Sequence, residues 1–481
     1  MKAPFYYALL ALGLALPGSA WAQNELSNFS ATGRGGVINT FAQGYQAIGV
    51  NPANLGRAGA PLVSFTIGEF GAGGASRSLT KDIFKNIITA DDQPLTGAQR
   101  TELVGALSGP DVLNLNVDAT TLGFAVALPN GLGGIAFSNR LRNSLHLGLN
   151  PNAADILVNG QNAAIVRQYY PTPNTSGSPT PTNPNAPTVS TVLDGTSIQL
   201  ASTSEYSLSY GLEVLSRDGL HASVGVGYRY IQGLGIVDVR AENGSLYAFT
   251  ALSPVFDINY GTLAANPNFN SVRESGVFNS VGSGNGFDFG LAVEVGKGLR
   301  LGASVTEIGN MTWTGNVVTA TDQRLQQLQS QGTTTYDIFS SLADQFDTDK
   351  QTLFTYEAAK ERKAALPGKF RFGAGMRVSN LVEVGLDVTT PLNKVAGNLT
   401  SSFVGLGVDF KPVNWIRLSS GVSGGAGFGT NLPLGITFVT PVWEMGFSSR
   451  DVTGYFSDKS PYYSIAAGFL RFKIGGNKEE Q

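Results

Sequence analysis

The chain has 481 residues, with 32 Lys and Arg against 35 Asp and Glu, 14% charged residues, 61 Gly and no Cys. Average soluble proteins have about 25% charged residues and about 7% Gly, so this composition is unusual for a globular enzyme. The absence of Cys excludes a disulfide framework and a lipid-modified N-terminal Cys. Because there is no basic excess, nucleic acid is not predicted as a partner.

The N-terminus has the features of an export signal. Lys2 precedes an apolar stretch over 5–16, and Ala20-Trp21-Ala22 places small residues where a signal peptidase reads the chain. This pattern predicts a cleaved signal peptide over 1–22. The apolar stretch is too short to cross a hydrocarbon core of about 30 Å as a helix.

Alternating apolar and polar residues predict the wall of a membrane barrel. In 369–379, Phe, Ala, Met and Val at even positions alternate with Lys, Arg, Gly and Ser at odd positions, and 381–390 alternates in the same way. The charged face must line a lumen, since Arg facing mid-bilayer lipid costs about 2–4 kcal/mol. A chain that spans lipid with strands must close into a barrel to satisfy its backbone hydrogen bonds.

The same pattern predicts fourteen strands, an even number as in bacterial barrels. They are predicted at 61–73, 111–128, 132–148, 197–215, 220–234, 285–296, 299–313, 369–379, 381–390, 401–411, 414–424, 432–440, 442–450 and 461–474. Short turns alternate with longer connections. We therefore predict an all-β, transmembrane antiparallel barrel over 61–474, followed by a short polar tail at 475–481. Such a protein belongs in the outer membrane of a Gram-negative bacterium, with both termini in the periplasm.

Residues 23–60 lack strand periodicity, and we predict that they form a plug, or hatch, inside the barrel. They contain several glycines, which allow a compact irregular path, and Asn51-Pro52-Ala53, in which Pro disfavours helix at the residue before it. Irregular backbone can lie at membrane depth only when it is buried in protein or faces water. Two interpretations are open: a movable hatch that gates passage, and a permanent plug.

The Asn51-Pro52-Ala53 motif, its place before the first strand and the fourteen predicted strands together resemble the FadL superfamily of outer-membrane transport proteins. In that family an Asn-Pro-Ala motif ends an N-terminal hatch inside a fourteen-stranded barrel. A closer resemblance, to a Bacteroidetes-type family of exported barrel proteins without an assigned function, is carried by 45–56, 306–313, 366–369 and 468–472. These resemblances imply a fold and a location, and they carry no substrate.

Two of the predicted outer connections, 80–107 and 320–365, have apolar residues at helical spacing. As in FadL-type proteins, such helical outer loops could form an apolar landing groove for a ligand. Alternatively, they pack on one another as a lid. The residues predicted to line the groove are Phe84, Ile87, Leu103, Leu107, Phe339 and Leu342. A third connection, 171–190, is rich in Pro, Thr, Asn and Ser, which predicts disorder.

The predicted lumen face carries charges of both signs. The charge cluster predicted there consists of Arg300, Lys369, Arg371, Arg377, Glu383 and Asp387. Opposite charges on neighbouring strands stabilise each other by roughly 0.2–1 kcal/mol per pair, which suits a structural network that holds the hatch. The alternative is a polar path or a carboxylate-binding site, with Lys369, Arg371 and Arg377 as its cations.

No catalytic, metal or cofactor site is predicted, because the chain has only two histidines, His146 and His221, and no Cys. The leading hypothesis is transport of a small hydrophobic or amphipathic molecule by a barrel surrounded by outer-membrane lipid. It rests on fold-level analogy. The alternatives are a non-transporting scaffold in protein export or envelope assembly, and a soluble secreted adhesin. The sequence indicates no particular protein partner.

Overall fold

The computed structural model describes residues 26–173, 181–273, 279–296, 298–346 and 353–475. The predicted signal peptide and all but the first residue of the polar tail lie outside these ranges. Within them, no helix combines the length and the apolarity needed to cross a bilayer.

Nineteen strands in the described residues form one antiparallel sheet. In chain order they are β1 (Val63–Ala75), β2 (Gly109–Ala127), β3 (Gly134–Leu149), β4 (Ser197–Arg217), β5 (Leu220–Glu242), β6 (Ser245–Leu252), β7 (Gly282–Val295), β8 (Leu299–Trp313), β9 (Val317–Thr321), β10 (Thr355–Ala358), β11 (Arg362–Ala365), β12 (Lys369–Arg377), β13 (Val382–Pro391), β14 (Phe403–Val413), β15 (Ile416–Gly425), β16 (Thr430–Asn431), β17 (Leu434–Val439), β18 (Trp443–Ser449) and β19 (Tyr462–Ile474).

Fourteen of these strands form the wall: β1 to β5, β7, β8, β12 to β15, and β17 to β19. Each pairs antiparallel with the next around the barrel. β1 lies beside β2, where Ala127 N donates to Leu62 O, and β19 returns to pair with β1, with Arg471 opposite Thr66. The sheet is therefore closed, and the predicted fourteen-stranded barrel is confirmed.

The two faces of the wall differ as the alternation predicts. On the outer face, Leu386, Leu406 and Val422 stand opposite one another on β13, β14 and β15, and each is at least 37% exposed. On the inner face, Lys369 and Arg371 are almost completely buried. The outer belt is thus the lipid-facing surface of a membrane-spanning barrel.

The two ends of the barrel are unequal. At one end the wall strands are joined by short turns such as 129–133, 218–219 and 414–415; we call this the short-turn end. At the other, the long-loop end, helices and the small strands form a cap. The cap helices are Lys81–Ile88, Gly97–Ala106, Pro151–Asn159, Ala164–Tyr169, Val189–Val192 and Ile338–Ala343.

Two long connections contain strands that the sequence analysis missed. β5 continues to Glu242 and pairs with β6, β6 pairs with β9, and β9 pairs with β10. Among the described residues of 320–365, the helical spacing forms one helix, at Ile338–Ala343, with a 3-10 turn at Asp344–Phe346. Leu325 and Leu328 lie in irregular backbone and are buried in the cap core, so their spacing reflects burial.

The predicted disorder of 171–190 is wrong for part of that connection, although 174–180 lies outside the described residues. Ala186 and Val189 are buried in the cap core. Asp322 accepts hydrogen bonds from the backbone N–H and the hydroxyl of Ser190, at 2.9 and 2.6 Å. A few apolar side chains and one carboxylate are enough to order this end of a polar segment.

We expect Leu406→Arg to destabilise the barrel by about 2–4 kcal/mol, because this side chain lies in the middle of the lipid-facing belt. The control is Leu381→Arg, which is half exposed in the turn between β12 and β13 and should cost about 0–1 kcal/mol. Urea unfolding of the protein in lipid vesicles, followed by gel mobility, measures both. Equal losses for the two variants would contradict the assignment of the membrane-embedded belt.

Candidate functional site

The hatch lies inside the lumen and consists of irregular backbone with short helical turns. The described part has an α-helix at Phe29–Gly33 and 3-10 turns at Gly44–Ala47 and Pro52–Gly56. Asn51 precedes the last turn, and its side chain accepts a hydrogen bond from Ala53 N at 3.2 Å. Pro52 is well suited to the first position of this turn, where no N–H is needed.

Inward-facing glycines of the wall form the surface on which the hatch lies. A Cβ at Gly225 would stand 2.2 Å from the carbonyl carbon of Pro52, and one at Gly290 would stand 2.1 Å from Asn51 Oδ1. We call this surface the glycine track. Comparably close approaches of wall glycines to the hatch occur at Gly71, Gly123, Gly211, Gly373, Gly375, Gly385, Gly405, Gly407, Gly446 and Gly468. These twelve wall glycines therefore make room for backbone and side chains of the hatch.

Wall carboxylates satisfy backbone groups of the hatch. Asp387 Oδ2 accepts from the N–H groups of Ile38 and Asn39 at 2.7 and 2.6 Å. Asp118 Oδ2 accepts from the N–H and the hydroxyl of Ser27 at 3.1 and 3.0 Å. These bonds matter because a buried N–H without a partner costs about 1–3 kcal/mol.

Side chains of the hatch also donate to the wall, because two hatch arginines pair with wall carboxylates. Arg34 Nη1 lies 2.7 Å from Asp409 Oδ2. Arg57 Nε donates to Glu294 Oε1 at 2.9 Å, while its Nη1 donates to Thr40 O at 2.8 Å. The two arginines lie near the two ends of the described hatch, so both ends are fastened electrostatically.

A third contact joins the hatch to β1 and β19. Tyr45 Oη and Arg471 Nε both donate to Glu69 Oε1, at 2.5 and 2.8 Å. With its amide oxygen turned toward Arg471, Gln46 accepts from Nη1 at 2.9 Å. The guanidinium also lies 3.9 Å above the ring of Phe29. We call Tyr45, Gln46, Glu69 and Arg471 the hatch latch.

Above the hatch, toward the cap, a β-bulge turns an extra carboxylate inward. Thr306 and Glu307 are adjacent on β8, yet both are buried, and Glu307 has a φ of +61°. For a residue other than Gly this left-handed conformation costs roughly 1–2 kcal/mol. The bulge brings Glu307 Oε1 to 2.9 Å from Arg142 Nη1 and 3.2 Å from Lys369 Nζ.

Glu307 belongs to a balanced group of charges. Arg229 contacts Asp288 and Glu205, each at 2.9 Å, and Glu205 also pairs with Arg142 at 2.9 Å. The upper ion network thus has three cations and three carboxylates: Arg142, Arg229, Lys369, Glu205, Asp288 and Glu307. The sequence analysis grouped only Lys369 of these six, because Arg142 and Glu307 meet across the lumen from strands far apart in the chain and Glu307 breaks the alternation of its strand.

Three cavities follow one another past the hatch. The upper cavity, with a volume of about 700 Å³ including its open part, lies between the upper ion network and the cap. The middle cavity, about 480 Å³, lies beside the hatch and shares Arg140 and Glu205 with the upper one. The lower vestibule, about 2270 Å³, opens at the short-turn end and shares Gln46 with the middle one. These shared residues lie where neighbouring cavities approach one another.

A family model described as "Family of unknown function (DUF5723)" matches residues 52–442. The chain belongs to this family. No curated protein sequence matches it. Among solved structures, the chain is similar to several outer-membrane barrels of the FadL type. The toluene transporter TodX of Pseudomonas putida matches at 10% identity over 95% of this chain and 100% of that chain, with a TM-score of 0.42. The toluene transporter TbuX of Ralstonia pickettii matches at 12% identity over 93% of this chain and 97% of that chain, with a TM-score of 0.38. A FadL homologue of Pseudomonas aeruginosa matches at 10% identity over 94% of this chain and 97% of that chain, with a TM-score of 0.37.

In this DUF5723 chain the charge cluster predicted from the sequence is distributed along the lumen. Lys369 belongs to the upper ion network, and Asp387 binds the hatch backbone. Arg300, Arg377 and Glu383 line the lower vestibule. Arg371 lies on β12 between these levels. Lys369 and Arg377 are eight residues apart on one strand, about 26 Å, so the proposed cations do not meet in one site.

The six residues predicted to line a landing groove are all buried in the cap core, with 0 to 7% exposure. The helices pack on one another and on neighbouring loops, as the lid alternative supposed. The reason is that each apolar face is covered by another element of the cap. In the described conformation the groove residues are therefore inaccessible from outside.

The two histidines have structural surroundings. His146 Nδ1 lies 2.7 Å from Asn114 Oδ1. His221 lies beside Ser216 and Glu213, but both contact the same ring nitrogen, Nδ1, at 3.2 and 2.6 Å. A Ser–His–acid triad needs the two partners on different nitrogens. Across the described ranges, no three His, Cys, Asp or Glu side chains are grouped as metal ligands.

Gly225→Ala or Gly290→Ala should displace the hatch from the glycine track, because each new methyl group would overlap hatch atoms. We expect trypsin to cleave the purified variants after Arg34 and Arg57, which are buried or nearly buried in the parent. Limited proteolysis with N-terminal sequencing measures this. The control is Gly105→Ala, where a Cβ has open space around it. Protection equal to that of the parent would contradict the role of the track.

Proposed function

We propose that this barrel passes a small hydrophobic or amphipathic molecule through the outer membrane, along the side of the hatch. The observation that carries the proposal is the row of three cavities, which runs from beneath the cap to the short-turn end. Arg140 and Glu205 lie between the upper and middle cavities, and Gln46 and the ion pair of Glu69 and Arg471 in the hatch latch lie between the middle cavity and the vestibule. The molecule therefore needs local movements at two constrictions, and the whole hatch need not leave.

The lining of the upper cavity suits an amphipathic molecule. One side is apolar, with Ile231, Met311 and Leu366, and the other carries Arg142 and Glu205 of the upper ion network. Ligand sites commonly combine a mostly apolar lining with a few placed polar groups. The apolar side would hold the body of the molecule, and the polar side would orient it.

Trp313 adds an unused donor to this cavity. Its indole N–H is buried and has no hydrogen-bond partner in the described structure, although it lines the cavity. The benzo edge of the ring packs against Gly233 and Gly282 of the wall, so the N–H on the opposite edge faces away from them. A buried donor without a partner is costly, and an acceptor on the bound molecule would satisfy it.

Entry from outside requires the cap to open. Phe84, Ile87, Leu103, Leu107, Phe339 and Leu342 would become accessible only then, so the landing groove is proposed for an opened cap. Helical loops are common sites of such movement. In this proposal the short-turn end, with both termini, faces the periplasm, as short turns do in bacterial barrels.

Ligand binding in the upper cavity can be measured through Trp313. Trp415→Phe/Trp443→Phe leaves Trp313 as the one indole outside the predicted signal peptide. We expect 4-bromobenzyl alcohol to quench its fluorescence saturably in purified protein. The comparison variant, Trp313→Phe/Trp415→Phe, reports from Trp443, which lines the lower vestibule, so binding at the two ends of the path is read separately. The absence of saturable quenching of Trp313 would contradict binding in the upper cavity and would favour the scaffold alternative.

Gln46→Ala should widen the constriction between the middle cavity and the lower vestibule, because it removes the hatch side chain that contacts Arg471. We expect a higher single-channel conductance in planar bilayers than for the parent. The matched control is Gln43→Ala, three residues earlier on the hatch, which lines only the vestibule. If Gln43→Ala raised the conductance as much, or Gln46→Ala did not raise it, the route beside the hatch would be excluded.

A further inference from the structure

We propose that the lower vestibule is an anion site, which binds a carboxylate or phosphate group carried by the transported molecule. This inference rests on the proposed function and narrows its substrate class to amphipathic anions. The vestibule is lined by seven Lys or Arg side chains and by three carboxylates. It differs in this from the upper ion network, in which three cations meet three carboxylates.

Five of the seven cations of the vestibule face its open space, while Arg34, Arg471 and the carboxylates lie deeper. The side chains of Arg300, Arg377, Lys411, Arg417 and Lys473 are 16 to 29% exposed. The carboxylates lie deeper, at 11% for Glu383, 2% for Asp409 and 5% for Glu444. A molecule entering this space therefore meets cationic groups first.

Each carboxylate is shared by several cations. Glu383 lies 3.0 Å from Arg377 and 3.7 Å from Lys411. Asp409 lies 2.7 Å from Arg34 and 4.0 Å from Arg417. Because one carboxylate compensates only one positive charge, both of these groups keep an excess of positive charge.

Glu444 has the largest number of cationic neighbours among the three vestibule carboxylates. Lys473, Arg417 and Arg471 approach it at 3.2, 3.4 and 3.5 Å. Arg417 Nε is buried and donates no hydrogen bond in the described structure. The part of the vestibule around β15, β18 and β19 thus offers an unused donor beside its excess of positive charge. Guanidinium groups bind carboxylate and phosphate oxygens with charge-assisted hydrogen bonds.

The surroundings strengthen this excess. A cleft with low-dielectric walls and charges of one sign focuses the electric field and raises the local concentration of the opposite ion. The vestibule opens at the end of the proposed path. An anionic group would therefore be attracted past the hatch latch, while its apolar body follows through the middle cavity.

Isothermal titration of the full protein in neutral detergent tests this with benzoate and with its uncharged analogue, benzyl alcohol. We expect benzoate to bind more tightly than benzyl alcohol, and its affinity to fall as NaCl is added, because salt screens partly exposed charges. Lys411→Gln/Lys473→Gln should weaken benzoate about tenfold, equivalent to about 1.4 kcal/mol, and leave benzyl alcohol unchanged. In this variant Glu383 and Glu444 keep arginine partners.

The matched control is Lys85→Gln/Lys394→Gln, which removes the same charge from exposed positions at the long-loop end. Heat-dependent gel mobility verifies that each variant is a closed barrel. Inorganic phosphate is titrated as a competitor. Competition supports a site that accepts a free oxyanion, and benzoate binding without competition supports a site for a carboxylate on an organic body.

Equal affinities for benzoate and benzyl alcohol at low salt would overturn the anion site, as would a tenfold loss in the control. The salt dependence of the parent protein decides the matter even if the double variant does not fold. Saturable quenching of Trp313 without a preference for benzoate would leave the proposed function standing and remove only this inference. Loss of both would remove the two together.

Discussion

The structure depends on one constraint: irregular hatch backbone lies inside a membrane barrel, where water cannot satisfy every polar group. The wall meets this constraint in two ways: glycines leave space for the hatch, and inward-facing carboxylates accept its hydrogen bonds. Glycines such as Gly225 and Gly290 let hatch atoms approach the strands, and Asp387 and Asp118 accept hatch N–H groups. The closed sheet is therefore a shaped container for one particular segment, and neither the hatch nor the wall is suited to the lumen alone.

Charge is distributed unevenly along the lumen, and this divides the proposed path into parts with different chemistry. Above the hatch, the positive and negative charges of the upper ion network balance, so its electric field is short-ranged. Its ion pairs fix the geometry of the lumen and would orient a bound molecule. Below it, cations share too few carboxylates, and the field extends into open space. Glu307, at the β-bulge, supplies the third carboxylate of the upper ion network. The charge balance there therefore depends on a residue with a strained backbone conformation.

The wall could be predicted from the sequence because its information is local. A period of two and the alternation of short and long connections identified fourteen strands within a few residues. What could not be predicted depends on contacts between distant residues. The glycine track needs both the strand and the hatch segment opposite it, Arg142 on β3 meets Glu307 on β8 across the lumen, and Leu325 is buried without being helical. The predicted cluster of Lys369, Arg371 and Arg377 was wrong for the same reason, because residues on one face of a strand were treated as neighbours although they lie far apart along it.

The glycine track also constrains how this family can change through evolution. A wall glycine can acquire a side chain only when the hatch residue opposite it loses volume or shifts, so substitutions at Gly290 and Asn51 are coupled although they lie far apart in the chain. Change in the hatch is limited in the same way by the ten wall strands that carry the glycine track. Covariation between residues 26–60 and the inner face of the barrel should therefore be the strongest long-range signal in an alignment of the family.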